Sequence, residues 1–286
     1  MVKPSFKLDL PQKRTTSVIF ASPHSGRNYP RSFLRKSVLD AQAIRSSEDA
    51  FVDLLFADVP NFGAPFLCAQ MPRAFVDLNR NSDELDPALI DGVRLAGYNP
   101  RVTSGLGVIP RVVSNGRAIY RGKISKMDAE MRLCNHWHPY HTMLKDLISE
   151  SHALFGEAIL VDCHSMPHEA LDSVSRAGKP RADIVLGDRF GTAANREIVD
   201  RIEASFVSAG LKVVRNAPFA GAFTAQYYGR PANGQHVVQI EMDRSLYMNE
   251  QRITPNDNFQ SFQALIGSVA RDISQIGAEK LPLAAE

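Results

Sequence analysis

The sequence predicts an α/β protein with a mixed, mostly parallel sheet, and three observations carry the prediction. Short, wholly apolar runs recur along the chain, as Ile159-Leu160-Val161 and Val237-Val238 show. A strand covered on both faces has no polar side, so such runs read as central strands of a layered fold. Amphipathic stretches of helical period alternate with them, the pattern of α/β proteins. Several runs also stop at chemically capable residues: His24, Arg80, His164 and Glu241. Open α/β sheets place their sites at the carboxyl ends of strands.

The 286 residues suffice for one large domain, and we expect a single catalytic domain over 1–286 with a loose tail from about residue 278. A net charge of +2 without a basic cluster argues against a nucleic-acid partner. No apolar run approaches the roughly 20 residues that span a bilayer, and Met1 to Leu8 lacks a signal-peptide core. Three cysteines without CxxC spacing do not make a disulfide frame or a structural zinc knuckle. These features predict a soluble cytoplasmic protein with no membrane partner.

In chain order, Ser17 to Ser22 reads as the first strand, running into Pro23-His24-Ser25-Gly26. Ser46 and Ser47, followed by Glu48 and Asp49, resemble a helix N-cap with acids in the first turn, so a helix is expected through Phe56. Either acid could instead complete a metal site that the histidines begin. Pro65–Ala69 and Ala74–Arg80 read as strands, the second ending in Asn79-Arg80. Arginine there suits a carboxylate or an oxyanion, or a structural salt bridge. Residues 81–122, rich in Gly, Pro, Asn and Asp, read as a long loop region with short strands, ending near Arg121.

Ser125 opens a long helix that carries Leu133, Trp137, Tyr140, Leu144 and Leu147 at helical spacing. Its His136, His138 and His141 do not form HExxH, and the first two point apart. His141 is a candidate for supporting or substrate-binding work rather than a primary metal ligand. Ala158 to Val161 is a buried strand that runs into Asp162-Cys163-His164-Ser165, repeating the pattern around His24. Strands over 182–188 and 211–216 flank a helix over 192–208. A last strand, 236–244, presents Glu241, which is either buried and paired or catalytic. A helix over 256–276 closes the chain.

Two histidines and a carboxylate are the protein ligands of many catalytic zinc sites. A separate glutamate can take a proton from water at such a site. Cys163 as a nucleophile is disfavoured, because residues adjacent on a strand point to opposite faces and His164 cannot easily reach it. A binding protein without catalysis remains the alternative on fold grounds.

The ordered set Ser-Pro-His-Ser-Gly (22–26), Glu-Asp-x-x-Val-Asp (48–53), Val-Asp-Leu-Asn-Arg (76–80), Tyr-Arg (120–121), Trp-x-Pro-Tyr-His (137–141), Asp-x-His-Ser (162–165), Tyr-Gly-Arg-Pro (228–231) and Gln-Ile-Glu (239–241) resembles the N-formylglutamate amidohydrolase family along nearly the whole chain. The resemblance implies a three-layer α/β/α fold related to the zinc carboxypeptidases. It implies one Zn2+ ion held by His24, Asp49 and His164, with Glu48 the alternative to Asp49. Carboxypeptidases use His-x-x-Glu, and here the fourth position is Arg27. It further implies Glu241 as general base and Arg80 with Asn79 at the substrate or oxyanion, with Arg121 and His141 as weaker substrate-side candidates. The implied substrate is a small anionic N-acyl amino acid, foremost N-formyl-L-glutamate, in amino acid breakdown such as that of histidine.

Overall fold

The computed structural model describes residues 4–94, 97–172 and 181–278. The strands are β1 Phe6–Asp9, β2 Val18–Ser22, β3 Phe66–Ala69, β4 Ala158–Met166, β5 Ile184–Gly187, β6 Val213–Arg215, β7 Gln235–Asp243, β8 Met248–Asn249 and β9 Thr254–Pro255. The helices are α1 Arg31–Lys36, α2 Val52–Leu55, α3 Pro100–Thr103, α4 Lys126–Arg132, α5 His138–Phe155, α6 Arg196–Ser208, α7 Phe223–Tyr228 and α8 Phe259–Ala278. Two interleaved compact units result. One comprises Met1–Lys7, Pro23–Ala50 and Cys68–Met143; the other comprises Leu8–Ser22, Phe51–Leu67 and Leu144–Glu286. The tail expected from about residue 278 lies, past Ala278, outside the described residues.

Seven strands form one mixed sheet in the order β1-β3-β2-β4-β7-β5-β6. The pairs β2–β4, β4–β7 and β5–β6 are parallel, and β5–β7 is antiparallel. The α/β class with a mostly parallel sheet is therefore as the sequence predicts. Every residue of β2 and β4 is buried, which explains their continuous apolar character. In the second unit α8 packs on β2, α2 and α6, and α6 packs on β5 and β6. The buried stripe of α8, Phe262, Ile266, Val269, Ala270 and Ile273, follows the helical period.

The first unit is mostly irregular backbone, and its core is aromatic. Arg132 lies 4.2 Å from the centre of the Phe75 ring and donates to the Phe75 carbonyl at 3.1 Å and the Tyr120 hydroxyl at 2.7 Å. A buried guanidinium with such partners can replace the secondary structure that this segment lacks.

Five expectations need correction. Residues 74–80 form turns rather than a strand: the Phe75 and Val76 amides bond to the Pro72 carbonyl, and the Asp77 amide to Val108. The expected helix after Ser46 is only α2, because Phe51 takes a left-handed conformation (φ 68°). The short strands expected in 81–122 are isolated bridges, such as Val112 with Ala118. The helix from Ser125 is interrupted by a π turn over Leu133–Trp137. Finally, β4 does not stop at Asp162 but runs on to Met166, so Asp162 and His164 are strand residues. The strand β1 carried too little apolar character to be read in advance.

Candidate active site

β2 ends at Ser22, and the chain enters the first unit through a turn at Pro23 and His24. Gly26 makes that turn possible, since a Cβ there would lie 2.0 Å from the Met71 carbonyl oxygen. His24 is buried, and its Nε2 lies 2.7 Å from Asp77 Oδ1. Burial alone would raise the Asp77 carboxyl, but Arg73, His24 and Arg80 outweigh it and hold Asp77 well below the usual carboxylate range. An ionised Asp77 can only accept, so His24 Nε2 donates to it and Nδ1 is the ring nitrogen on the other side. Nδ1 stands 3.4 Å from Asp49 Oδ2, and the Asp49 amide donates to the His24 carbonyl at 3.1 Å.

The two acids left open by the sequence separate clearly. Glu48 is engaged by Arg45, at 2.9 Å from Nη2 to Oε2, and by the Tyr29 hydroxyl at 2.6 Å. Burial and Glu48 push the Tyr29 pKa up, so the phenol stays a donor. Asp49, in contrast, is the acid beside His24, and neither acid lies in the first turn of a helix.

Arg80 is buried and donates to two neutral carbonyls, Leu106 at 3.0 Å and Asn79 at 3.4 Å. Burial lowers its pKa, while Asp77 opposes that shift. Trp137 Nε1 donates to the Arg80 carbonyl at 2.9 Å, and His141 Nε2 to the Leu78 carbonyl at 2.9 Å. The two rings, 4.0 Å apart, therefore clamp the backbone on either side of Asn79. Arg121 is exposed in a turn, and no described contact ties it to Arg80.

In the second unit the site is built on two adjacent strands. Parallel register sets Asp162 opposite Gln239 and His164 opposite Glu241. Side chains two apart on a strand share a face, so these four polar groups stand together on one side of the sheet. All four are buried. Asp162 Oδ2 lies 3.0 Å from His164 Nε2, and Gln239 Nε2 donates to Glu241 Oε1 at 2.8 Å. Cys163 points to the other face and is buried. Asp162 thus stands against the Nε2 side of the His164 ring. Sequence reasoning gave no role to Asp77 or Gln239. The alternation of Gln239 and Glu241 on one strand was the signal for the latter; Asp77 sits in irregular backbone and offered none.

His24 and Asp49 in the first unit and His164 in the second are each buried, and each offers an atom that can bind a metal ion. Their chemistry, two imidazoles and a carboxylate, is that of catalytic zinc sites. The one spacing within a single unit also fits: imidazole and carboxylate ligands of one tetrahedral zinc stand about 3.4 Å apart, matching His24 and Asp49.

A family model for N-formylglutamate amidohydrolase matches residues 16–248 of this chain. The chain belongs to that family. It is an enzyme acting on a linear amide. The N-formylglutamate deformylase of Pseudomonas aeruginosa is 30% identical over 237 residues, covering 82% of this chain and 83% of the relative. That of Pseudomonas putida is 25% identical over 268 residues, with 92% and 94% covered. The crystal structure of N-formylglutamate amidohydrolase from Ralstonia eutropha superposes with a TM-score of 0.90 at 31% identity, covering 97% of this chain and 99% of that one. A gene product of Agrobacterium tumefaciens shares the fold at 15% identity and a TM-score of 0.65, with 96% of each chain covered. Among the described residues no helix is long and apolar enough to cross a membrane.

Proposed function

We propose that this amidohydrolase cleaves the formyl amide of N-formyl-L-glutamate to formate and L-glutamate, with one zinc ion held by His24, Asp49 and His164 and with Glu241 as general base. The observation that carries the reading is the register of β4 and β7, which sets a buried carboxylate, Glu241, directly beside a buried imidazole, His164. The order of strands supports the ligand set as well: β2, which leads to His24, and β4, which holds His164, are parallel neighbours with Ala21 opposite Asp162. The two deformylase relatives support the substrate.

When bound, the ion supplies Lewis acidity, polarising a carbonyl oxygen and acidifying water. The chain's own residues do the remaining work. His24 and His164 bind through Nδ1 because Asp77 and Asp162 each take up the Nε2 side. Glu241 accepts a proton from the attacking water and returns it to the departing amine of glutamate, the two halves of general acid–base catalysis. Arg80, with Asn79, binds a carboxylate of the substrate. Its guanidinium donates to the Leu106 and Asn79 carbonyl oxygens and lies in the field of Asp77, and a substrate anion would give this buried cation a charge-assisted partner. The clamp of Trp137 and His141 keeps that arginine's backbone in place, which makes His141 a supporting residue in this reading.

The test combines a substrate panel with one substitution. The purified enzyme, loaded with zinc, hydrolyses N-formyl-L-glutamate in preference to other N-formyl and N-acyl amino acids. Glu241→Gln abolishes turnover while a full equivalent of zinc stays bound. An active Glu241→Gln enzyme removes Glu241 from the base role; a preference for another acyl amino acid replaces the substrate.

A further inference from the structure

We propose that Gln239 is a positioning residue for Glu241: its side-chain amide, locked from behind by a backbone N–H, holds the carboxylate in its working orientation. The inference rests on the reading of Glu241 as the base.

The side chain of Gln239 bridges two partners, and both are defined. Its Oε1 accepts from the Ala222 amide at 2.9 Å, and its Nε2 donates to Glu241 Oε1 at 2.8 Å. A backbone N–H can only donate, so the oxygen end of the amide must face Ala222 and the NH2 end must face Glu241. The orientation is therefore set by chemistry and not by choice of assignment. Gln239 is only 3% exposed and Glu241 8%, so little water competes for either group.

The Ala222 amide is itself placed by the sheet. The antiparallel register of β5 and β7 sets Gly187 opposite Gln239. A Cβ at Gly187 would lie 2.7 Å from both the Ala220 carbonyl carbon and the Gly221 nitrogen. The backbone of residues 220–221 thus lies directly on the sheet where β5 has no side chain. The Arg189 amide, donating to the Ala220 carbonyl at 2.7 Å, fastens it there. A line of support runs from Gly187 to the loop, to the Ala222 amide, to Gln239 and so to Glu241. Each member lies in the second unit, and only the last would touch the reacting atoms.

A carboxylate that must meet a water at one angle gains from such a support, because small misplacements of a catalytic group are costly in rate. The support acts on the chemical step and leaves the carboxylate-binding arginine of the first unit alone. It should therefore appear in kcat and not in KM.

The test uses the full-length, zinc-loaded enzyme. Gln239→Glu is isosteric and keeps an acceptor for Ala222 but loses the donor to Glu241. Gln239→Met keeps the volume and loses both bonds. Both variants lower kcat tenfold to a hundredfold, on the order expected for a displaced catalytic group, with KM within about twofold. Amide hydrogen exchange gives a readout independent of turnover, with Ala222 protected in wild type and in Gln239→Glu but exchanging faster in Gln239→Met. A kcat within twofold of wild type in the isosteric variant overturns the proposal, as does a parallel rise in KM. If Glu241→Gln itself turns over, the base assignment has failed, and the exchange result alone then reports the bridge.

Discussion

Replacing Asp77 tests the metal reading at a residue that is itself no ligand. Asp77 Oδ1 lies 2.7 Å from His24 Nε2 and accepts from the Asn79 amide at 2.9 Å, while Oδ2 accepts from Arg73 Nε at 2.9 Å. Asp77→Asn keeps one carbonyl oxygen, enough to hold His24 and Asn79, but removes the charge and turns an amide NH2 toward Arg73. Asp77→Ala removes every acceptor and leaves the His24 tautomer unfixed. Loss of such a partner behind a ligand histidine costs about 10–100-fold in metal affinity, or about 1.4–2.8 kcal/mol. Asn should fall near the lower figure and Ala near the upper. The measurement is zinc dissociation from stripped and reloaded protein by competition with a chromogenic chelator, with melting curves of the metal-free forms as a folding control. Wild-type zinc affinity in a folded Asp77→Ala protein would refute the role of Nδ1 as the ligand atom, because that role depends on Asp77 holding the proton on Nε2.

Two further outcomes follow from the same structure. Cys134 is exposed while Cys68 and Cys163 are buried, so a thiol alkylator should modify one thiol per chain and leave activity intact, whereas a zinc chelator removes it; loss of activity in step with alkylation would restore a thiol mechanism. Burial would raise the Asp128 carboxyl, but hydrogen bonds from Arg132 and Lys36 outweigh it and depress its pKa below the ordinary 3.8. Its stabilising contribution is therefore present above about pH 4 and lost as pH falls through the depressed value, so the melting-temperature advantage of wild type over Asp128→Asn should shrink between pH 5 and pH 3; an advantage unchanged at pH 3 would remove the ion pair as its source.

The central strands were legible because burial on both faces leaves an unambiguous apolar run. His24, His164 and Glu241 were legible as polar breaks at or near the ends of such runs. Residues 74–80 misled because Phe75-Val76-Asp77-Leu78 is as apolar as a strand. Beyond the local turn bonds to the Pro72 carbonyl, their backbone groups pair with Val108, Arg132, Trp137 and His141, none of them near in sequence. A local pattern carries no information about such partners. Around Glu48 and Asp49 the capping signal was sound as local chemistry, yet Arg45 and Tyr29 take Glu48 and the His24 carbonyl takes the Asp49 amide. Tertiary bonds outweigh a helix preference of a few tenths of a kcal/mol per residue.

The block of four on β4 and β7 shows why core and site cannot be separated here. Asp162 with His164, and Gln239 with Glu241, are each two residues apart, and the strands pair without offset. The residues between and beyond them, Cys163, Ile240 and Met242, face the other way and are fully buried. Slipping β7 by one residue would turn Glu241 into the apolar layer and bring Ile240 or Met242 to His164. That slip would bury an unpaired carboxylate and expose apolar area on the polar face, two penalties of the same sign. The apolar residues of β7 therefore act on the chemistry without touching it: their burial fixes the register, and the register sets Glu241 beside His164.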